Sequence, residues 1–176
     1  YTLWHTLSLH DALPISRYQG SRLTGFIESK IESWLGLELN REKTKVVDLR
    51  HPGTSVDFLG YTFRYDRDLK GRGHRYLNIT PSAKAMKAHR EALRETISRK
   101  HNCVPVTRLI GVVNRQQRGW ANYFSFGYPR KAMRSMNWYV RSCLIGHLRR
   151  RSQRPFRPPK GRSYYRHLQQ LGLVYL

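Results

Sequence analysis

Residues 105–124 combine side-chain types that can bind RNA. At helical spacing these residues divide into two faces, and one face is polar. Arginine guanidinium groups bind phosphate oxygens bidentately. Asparagine amides hydrogen-bond to base edges or 2′-hydroxyl groups, and an aromatic ring offers a stacking surface. The polar face holds Arg108, Asn114, Arg115, Arg118, Asn122 and Tyr123. These residues predict an RNA-binding face; the alternative is an ordinary solvent-facing surface of a core helix.

The opposite face of the same helix is apolar and is predicted to lie in a core. Its members are Leu109, Ile110, Val113, Trp120, Ala121 and Phe124. Trp120 is therefore predicted to point inward. Asparagine has a poor helix propensity, so its appearance twice on the polar face favours a binding role over a purely structural one.

The charge of the chain points to an anionic partner. The 176 residues carry 33 Lys and Arg against 11 Asp and Glu, a formal net charge of +22. Residues 81–176 hold 21 of the basic residues, with Glu91 and Glu95 as their only acidic side chains. Such an excess destabilises a compact state unless a polyanion neutralises it. Nucleic acid is favoured over an acidic membrane surface because the basic helices also carry Trp, Tyr and Asn.

Two further groups of basic residues are predicted to contact RNA. One group opens a helix predicted over residues 131–151, and the other begins an exposed cationic linker predicted over residues 149–162, which is rich in arginine and proline. Their members are Arg130, Lys131, Arg134, Arg149, Arg150 and Arg151.

The sequence predicts no metal site, no catalytic residue and no membrane span. Cys103 and Cys143 give neither a disulfide framework nor a zinc knuckle, which favours a reduced, cytoplasmic protein. The histidines lack ligand spacing. Asp66 and Asp68 fall in a predicted hairpin turn, where paired acids are usually solvated. Uncharged runs such as residues 1–9 are too short to cross a bilayer.

The hydrophobic periodicity predicts an α+β fold, with short antiparallel strands followed by a mainly helical bundle. A first amphipathic helix is predicted over residues 22–37, before the strands. The strands are predicted over residues 43–49, 57–65 and 76–79, with a turn at 51–53 and the last two strands forming a hairpin. The later helices are predicted over residues 82–100, 105–124, 131–151 and 164–171.

Two sets of motifs resemble one known family. Residues 37–47, Leu-Glu-Leu-Asn-Arg-Glu-Lys-Thr-Lys-Val-Val, followed by residues 57–63, Asp-Phe-Leu-Gly-Tyr-Thr-Phe, resemble the last two blocks of the palm of group II intron reverse transcriptases. Residues 114–124, Asn-Arg-Gln-Gln-Arg-Gly-Trp-Ala-Asn-Tyr-Phe, look like the signature of the maturase-specific domain of the same family. The resemblance covers about residues 20–175, in the order and spacing of the family.

The resemblance implies a domain organisation and partners. It identifies residues 17–80 as the end of the palm and residues 81–176 as the thumb and maturase-specific domain, which bind the template–primer duplex and the intron RNA. It places Gly60 near the primer end and Lys43 at the palm floor near the nucleotide. For Lys43 the alternative is one more cation at a strand start. A homodimer is a candidate assembly of the full-length form.

The resemblance leaves the enzymatic activity uncertain. Polymerases of this family bind two Mg²⁺ through an early palm aspartate and a Tyr-Ala-Asp-Asp box, both upstream of the Leu-Asn-x-x-Lys-Thr block. No such box occurs here. We therefore expect this chain to bind no cofactor. The resemblance implies that the full-length RNA-directed DNA polymerase uses Mg²⁺.

Residues 1–16 match neither the charge nor the periodicity of the rest. Their end looks like the translated read-through of a sequencing adapter, so we expect a non-native segment and a chain truncated at its N-terminus.

The predicted function is an RNA-binding fragment of a group II intron reverse transcriptase/maturase that assists intron splicing and mobility. The alternative is a basic architectural or ribosomal-type protein that binds nucleic acid without intron specificity. A nuclease is the third hypothesis, suggested by residues 101–103.

Overall fold

The protein is an α+β fold in which a small sheet precedes a helical bundle, as predicted. The computed structural model describes residues 21–38, 40, 47–68, 72–154 and 156–176, with the backbone only for 21–23. The strands are β1 (Ser55–Phe58), β2 (Tyr61–Arg67) and β3 (Arg75–Pro81). The helices are α1 (Ser21–Leu35), α2 (Ala83–Thr96), α3 (Val106–Tyr123), α4 (Arg130–Arg150) and α5 (Tyr164–Gln170), with a 3₁₀ turn at Arg99–His101.

Helix α1 confirms the predicted first helix, and part of its apolar stripe is exposed. It ends at Leu35, and Gly36 takes a left-handed conformation with φ of +63°, as is common after a helix. Phe26, Trp34 and Leu35 are exposed. The Lys30 ammonium lies 5.7 Å and 5.8 Å from the Phe26 and Trp34 ring centres.

The sheet is an antiparallel meander in the order β1-β2-β3. Residues 57–65, predicted as one strand, are in fact two strands joined by a two-residue turn at Leu59 and Gly60. Both turn residues have positive φ, +46° and +80°, which is the backbone that closes tight hairpins. Alternation alone does not reveal such a turn, because Leu59, Tyr61 and Phe63 keep the period of two through it. The pairing of Phe58 with Tyr61 across the turn shows where the chain reverses.

The other predicted strand is only partly within the described residues. Residues 43–46 lie outside them, and residues 47–49 are not in a strand. The predicted turn at 51–53 is confirmed, with the Thr54 amide donating to the His51 carbonyl at 3.3 Å. Just before it, hydrogen bonds from Arg50 lower the pKa of Asp48 to about 2.

The helices begin where serine and proline predict. Ser82 caps α2, since its Oγ accepts a hydrogen bond from the Ala85 amide at 3.1 Å. Pro105 precedes α3, and Ser163 caps α5 by accepting from the Arg166 amide at 3.3 Å. These positions satisfy or avoid the free amide groups of a first helical turn.

Among the described residues, an apolar core packs α2, α3, α4 and α5 together. Leu93 of α2, Val113 of α3, Met136 and Leu144 of α4, and Leu168 of α5 are fully buried. The remaining core members are Ile97, Leu109, Ile110, Val140, Leu148 and Leu173. The predicted inward positions of α4 are confirmed at Met136, Val140, Leu144 and Leu148, whereas Met133, Tyr139 and Cys143 are half-buried.

The sheet meets the bundle at the end of α3 and the loop that follows it. Gly60 in the β1–β2 turn lies against Phe124, where a Cβ would be 3.3 Å from the Phe124 Cζ. The Tyr128 amide donates to the Ile79 carbonyl of β3 at 2.9 Å. At Gly127, with φ of +84°, a Cβ would lie 2.8 Å from the Ile79 Cβ and still closer to its carbonyl oxygen. Only glycine fits there.

Replacing Gly127 by alanine is expected to destabilise the protein. The left-handed backbone costs about 1–2 kcal/mol for a residue with a Cβ, and the contact with Ile79 adds about 1–3 kcal/mol. Chemical denaturation should show this loss in the free energy of unfolding. Gly119→Ala is the matched control, because Gly119 is helical and a Cβ there meets no atom within 4 Å. It should be neutral or stabilising by up to about 1 kcal/mol. Equal effects of the two variants would contradict the close packing at Gly127.

Candidate nucleic-acid interface

Four of the six residues predicted for the RNA-binding face of α3 are exposed on one side of that helix. Arg108, Arg115, Arg118 and Asn122 follow one another at spacings of seven, three and four residues, which places them in one stripe. At 1.5 Å per residue the stripe is about 21 Å long. None of the three arginines forms an ion pair with any described residue. Their guanidinium groups are therefore available to phosphate.

Asn114 is a correction to the predicted face. Its side chain is only 6% exposed. Its Nδ2 donates to the Gly172 carbonyl at 2.7 Å, and its Oδ1 accepts from the Val174 amide at 3.1 Å. Asn114 thus clamps the segment after α5 and offers no amide to RNA. Spacing could have shown the burial of Asn114, although not its partners, because Asn114 lies four residues after buried Ile110 and so on the inward stripe.

A second asparagine holds the same segment from α4. The Asn137 Nδ2 donates to the Leu176 carbonyl at 2.9 Å, and its Oδ1 accepts from the Leu176 amide at 3.0 Å. In each clamp one amide side chain satisfies both a donor and an acceptor of the backbone, as a neighbouring strand would. The segment that carries Leu173 is thereby fixed against α3 and α4.

Tyr123 is exposed but serves a structural contact. Its hydroxyl donates to the Leu59 carbonyl at 2.8 Å, and its own carbonyl accepts a hydrogen bond from the Tyr61 hydroxyl. The two rings stack with centres 5.9 Å apart. Burial raises the pKa of Tyr61. The Tyr123 hydroxyl is committed to the β1–β2 turn, and only the ring, 56% exposed, is open to a ligand.

Trp120 is half-buried and packs against the core, in agreement with its predicted inward position. Its ring stacks on His89 of α2, with centres 5.0 Å apart and the planes 12° from parallel. It also contacts the Phe124 ring at 4.9 Å. The burial of His89 lowers its pKa to about 4. The imidazole is therefore neutral at neutral pH, and its flat face serves as packing surface.

The cations at the start of α4 are exposed to solvent. Arg130, Lys131 and Arg134 occupy its first two turns, with no acidic side chain in the first turn. Positive charges at this end oppose the helix dipole. An anion bound here would relieve both the dipole and the charge repulsion.

The predicted cationic linker is exposed in part. Arg149 and Arg150 complete α4, and Arg151 follows it; all three are exposed. The Arg149 guanidinium lies 5.4 Å from the centre of the Tyr164 ring. Phe156, by contrast, packs against the core, and its carbonyl accepts from the Tyr164 hydroxyl at 2.8 Å. This anchor corrects the expectation of a wholly exposed linker over 149–162.

The two remaining predicted residues belong to the region before α2. Lys43 lies outside the described residues. Gly60 is in the β1–β2 turn rather than inside a strand, and its carbonyl accepts from the Ser82 amide at 2.7 Å. The structure explains this glycine by the turn and by Phe124, while its position near a primer stays a prediction.

Ion pairs among the described residues occur only in the part of the chain up to α2. Their ion pairs are Asp48 with Arg50, Asp66 with Arg64, and Glu91 with Lys87. The sequence has no acidic side chain after Glu95, so α3, α4 and α5 contain no internal counter-charge. Asp66 also accepts from the Asn78 amide. Within the described ranges no three possible metal ligands gather.

The sequence did not predict the burial of two polar residues or the exposure of three aromatic residues. Gln117 and His147 are fully buried, and burial lowers the pKa of His147. Phe126, Tyr128 and Trp138 are large aromatic side chains left exposed. Their exposure could not be read from residue type, because aromatic residues at such positions usually pack inward.

Asn114→Ala is expected to destabilise the fold, because it leaves the Gly172 carbonyl and the Val174 amide without partners. The expected loss is about 2–4 kcal/mol in the free energy of unfolding. Asn122→Ala removes the same group from an exposed site and should change stability by less than about 0.5 kcal/mol. A stable Asn114→Ala variant would contradict the clamp.

The protein is expected to lose stability as the pH falls from about 6.5 to about 4. Between these pH values His89 takes up a proton in the unfolded chain but stays neutral in the folded chain, because burial lowers its pKa to about 4. Protonation therefore favours unfolding. His89→Gln should flatten the dependence of the unfolding free energy on pH, with buried His147 supplying part of what remains. His74→Gln, at an exposed position outside the bundle, is the control. An unchanged slope in His89→Gln would contradict the assignment.

Comparison with known proteins agrees with this architecture. None of the described helices is long and apolar enough to cross a membrane. A search of the curated proteins found no match. Residues 86–169, which run from α2 almost to the end of α5, match the family model of the group II intron, maturase-specific domain. Over these residues the chain is therefore similar to the maturase-specific domain of group II introns, which supports the predicted family resemblance.

Proposed function

We propose that this protein binds group II intron RNA through the outward faces of α3 and α4 and so assists intron splicing and mobility. One observation carries the proposal. Within the residues that match the maturase-specific domain, the outward arginines and lysines of α3, α4 and α5 have no acidic partner among the described residues, and the ion pair there is Lys87 with Glu91 of α2.

Phosphate contacts supply most of the affinity in this proposal. Each arginine or lysine that neutralises a phosphate releases a bound counterion, which makes binding strongly dependent on salt. Arg108, Arg115 and Arg118 line α3, and the cations at both ends of α4 extend the surface. Asn122 supplies the hydrogen-bonding group that can read a base edge or a 2′-hydroxyl group.

The proposal includes a reverse transcriptase origin for the sheet. The β1–β2 hairpin contains the Asp-Phe-Leu-Gly-Tyr motif that resembles the end of a palm. On this basis the full-length protein is an RNA-directed DNA polymerase that uses Mg²⁺ and binds a template–primer duplex. The described acidic residues supply no part of that chemistry in our proposal, since Asp66 is held by Arg64 and Asn78.

The affinity for intron RNA is expected to fall steeply with salt. If six to ten cations contact phosphate, the loss is about 10³- to 10⁵-fold between about 50 and 200 mM salt. Replacing Arg149, Arg150 and Arg151 together by glutamine should weaken binding to every nucleic acid and reduce the salt slope by up to about three phosphates. Asn122→Ala should keep the slope and reduce only the preference for intron RNA. Filter binding at several salt concentrations measures both effects.

A random duplex DNA of equal length separates this proposal from its rival. Tighter binding of intron RNA at physiological salt supports the maturase function. Equal affinity for both would overturn it in favour of an architectural protein that binds nucleic acid without intron specificity.

A further inference from the structure

The outward face of α4 carries an exposed tryptophan within a row of cations. Trp138 is 62% exposed, although tryptophan usually buries most of its ring. Lys131, Arg134, Arg141 and Arg149 lie at positions −7, −4, +3 and +11 from it, and all five residues share one side of the helix. The opposite side, with Met136, Val140 and Leu144, is buried in the core.

No described residue forms an aromatic or cation–π contact with the Trp138 ring. Among the described residues no aromatic ring stacks on it and no cation lies over it. Its contact through the backbone is the Trp138 carbonyl, which accepts from the Ser142 hydroxyl at 2.9 Å. The indole contributes little to the fold, so its exposure calls for a partner outside the chain.

We propose that Trp138 stacks on an unpaired base of a bound RNA while the neighbouring cations hold the phosphates on either side of that base. This inference rests on the proposed function and adds the class of ligand: a single-stranded loop or bulge rather than a continuous duplex. Arg134 and Arg141 lie about 6 Å and 4.5 Å along the helix axis from Trp138, one on each side. A base on the indole therefore has a cation within reach both before and after it.

The charge of this face of α4 favours one kind of binding partner over two others. A second copy of this chain would bring its own net charge of +22 against four cations, which repel it. A membrane-bound amphipathic helix buries a continuous apolar face, and the apolar face of α4 is already in the core. An unpaired nucleotide offers both a flat ring for the indole and a phosphate for the cations.

The test compares an RNA hairpin that has a single-stranded loop with a fully paired RNA duplex of the same length. Trp138→Ala in the full chain should weaken binding to the hairpin about 5- to 100-fold and leave the salt slope and the duplex affinity unchanged. Trp138→Phe, which keeps an aromatic ring, should restore most of the loss. Arg141→Gln should weaken binding to both RNAs and reduce the salt slope by about one phosphate.

Trp34→Ala is the matched control, because Trp34 is 82% exposed on α1, away from the cations of α4 in sequence and outside the matched domain. It should bind both RNAs like the wild type. Thermal unfolding of each variant checks the fold; if Trp138→Ala is destabilised, Trp138→Leu keeps the apolar bulk without the ring and must show the same loss for the hairpin.

The outcomes separate this inference from the proposed function. A wild-type protein that shows no preference for intron RNA overturns the proposed function. If that preference is present but Trp138→Ala binds the hairpin as the wild type does, only the stacking inference fails. An equal loss for hairpin and duplex, or a loss of binding to anionic lipid vesicles alone, also overturns it.

Discussion

Repulsion among positive charges is the constraint under which the helical part of this protein folds. The sequence has no acidic side chain after Glu95, so no ion pair can hold α3, α4 and α5 together. Burial of apolar side chains must outweigh the repulsion, and the core built around Leu93, Val113 and Leu144 supplies that burial. Neutral amide side chains form hydrogen bonds between these elements in place of ion pairs. Asn114 and Asn137 bind the last segment of the chain, and Gln116 hydrogen-bonds to Thr96 of α2.

The same constraint explains where the cations lie. Because a buried, unpaired charge is costly, the arginines and lysines of α3 and α4 are exposed, except for half-buried Arg141. The bundle thereby separates a largely apolar interior from an exterior whose acidic side chains are Glu91 and Glu95 of α2. That exterior favours binding of a polyanion, and in a maturase-specific domain the proposed polyanion is the intron RNA. Stability and the proposed binding are thus two results of one distribution of side chains.

The sheet depends on close backbone packing rather than on charge. The β1–β2 turn reaches the end of α3, where Phe124 lies against Gly60 and the Tyr123 hydroxyl holds the Leu59 carbonyl. At the other edge, Gly127 allows the loop after α3 to lie on Ile79 of β3. These contacts fix the hairpin relative to α3. They also place Tyr123 in a structural role on the border of the basic surface.

The sequence by itself determined the helices, the inward stripes of α3 and α4, the excess of positive charge and the family resemblance, because these follow from local spacing and composition. Only the tertiary structure decided the roles of individual residues. Asn114 is a clamp because the chain after α5 returns to α3, and Gly60 is in a turn because β2 folds back on β1. Trp138 is exposed because the core is filled by the other side of α4. Such roles arise from contacts between residues far apart in the chain, which no local pattern records.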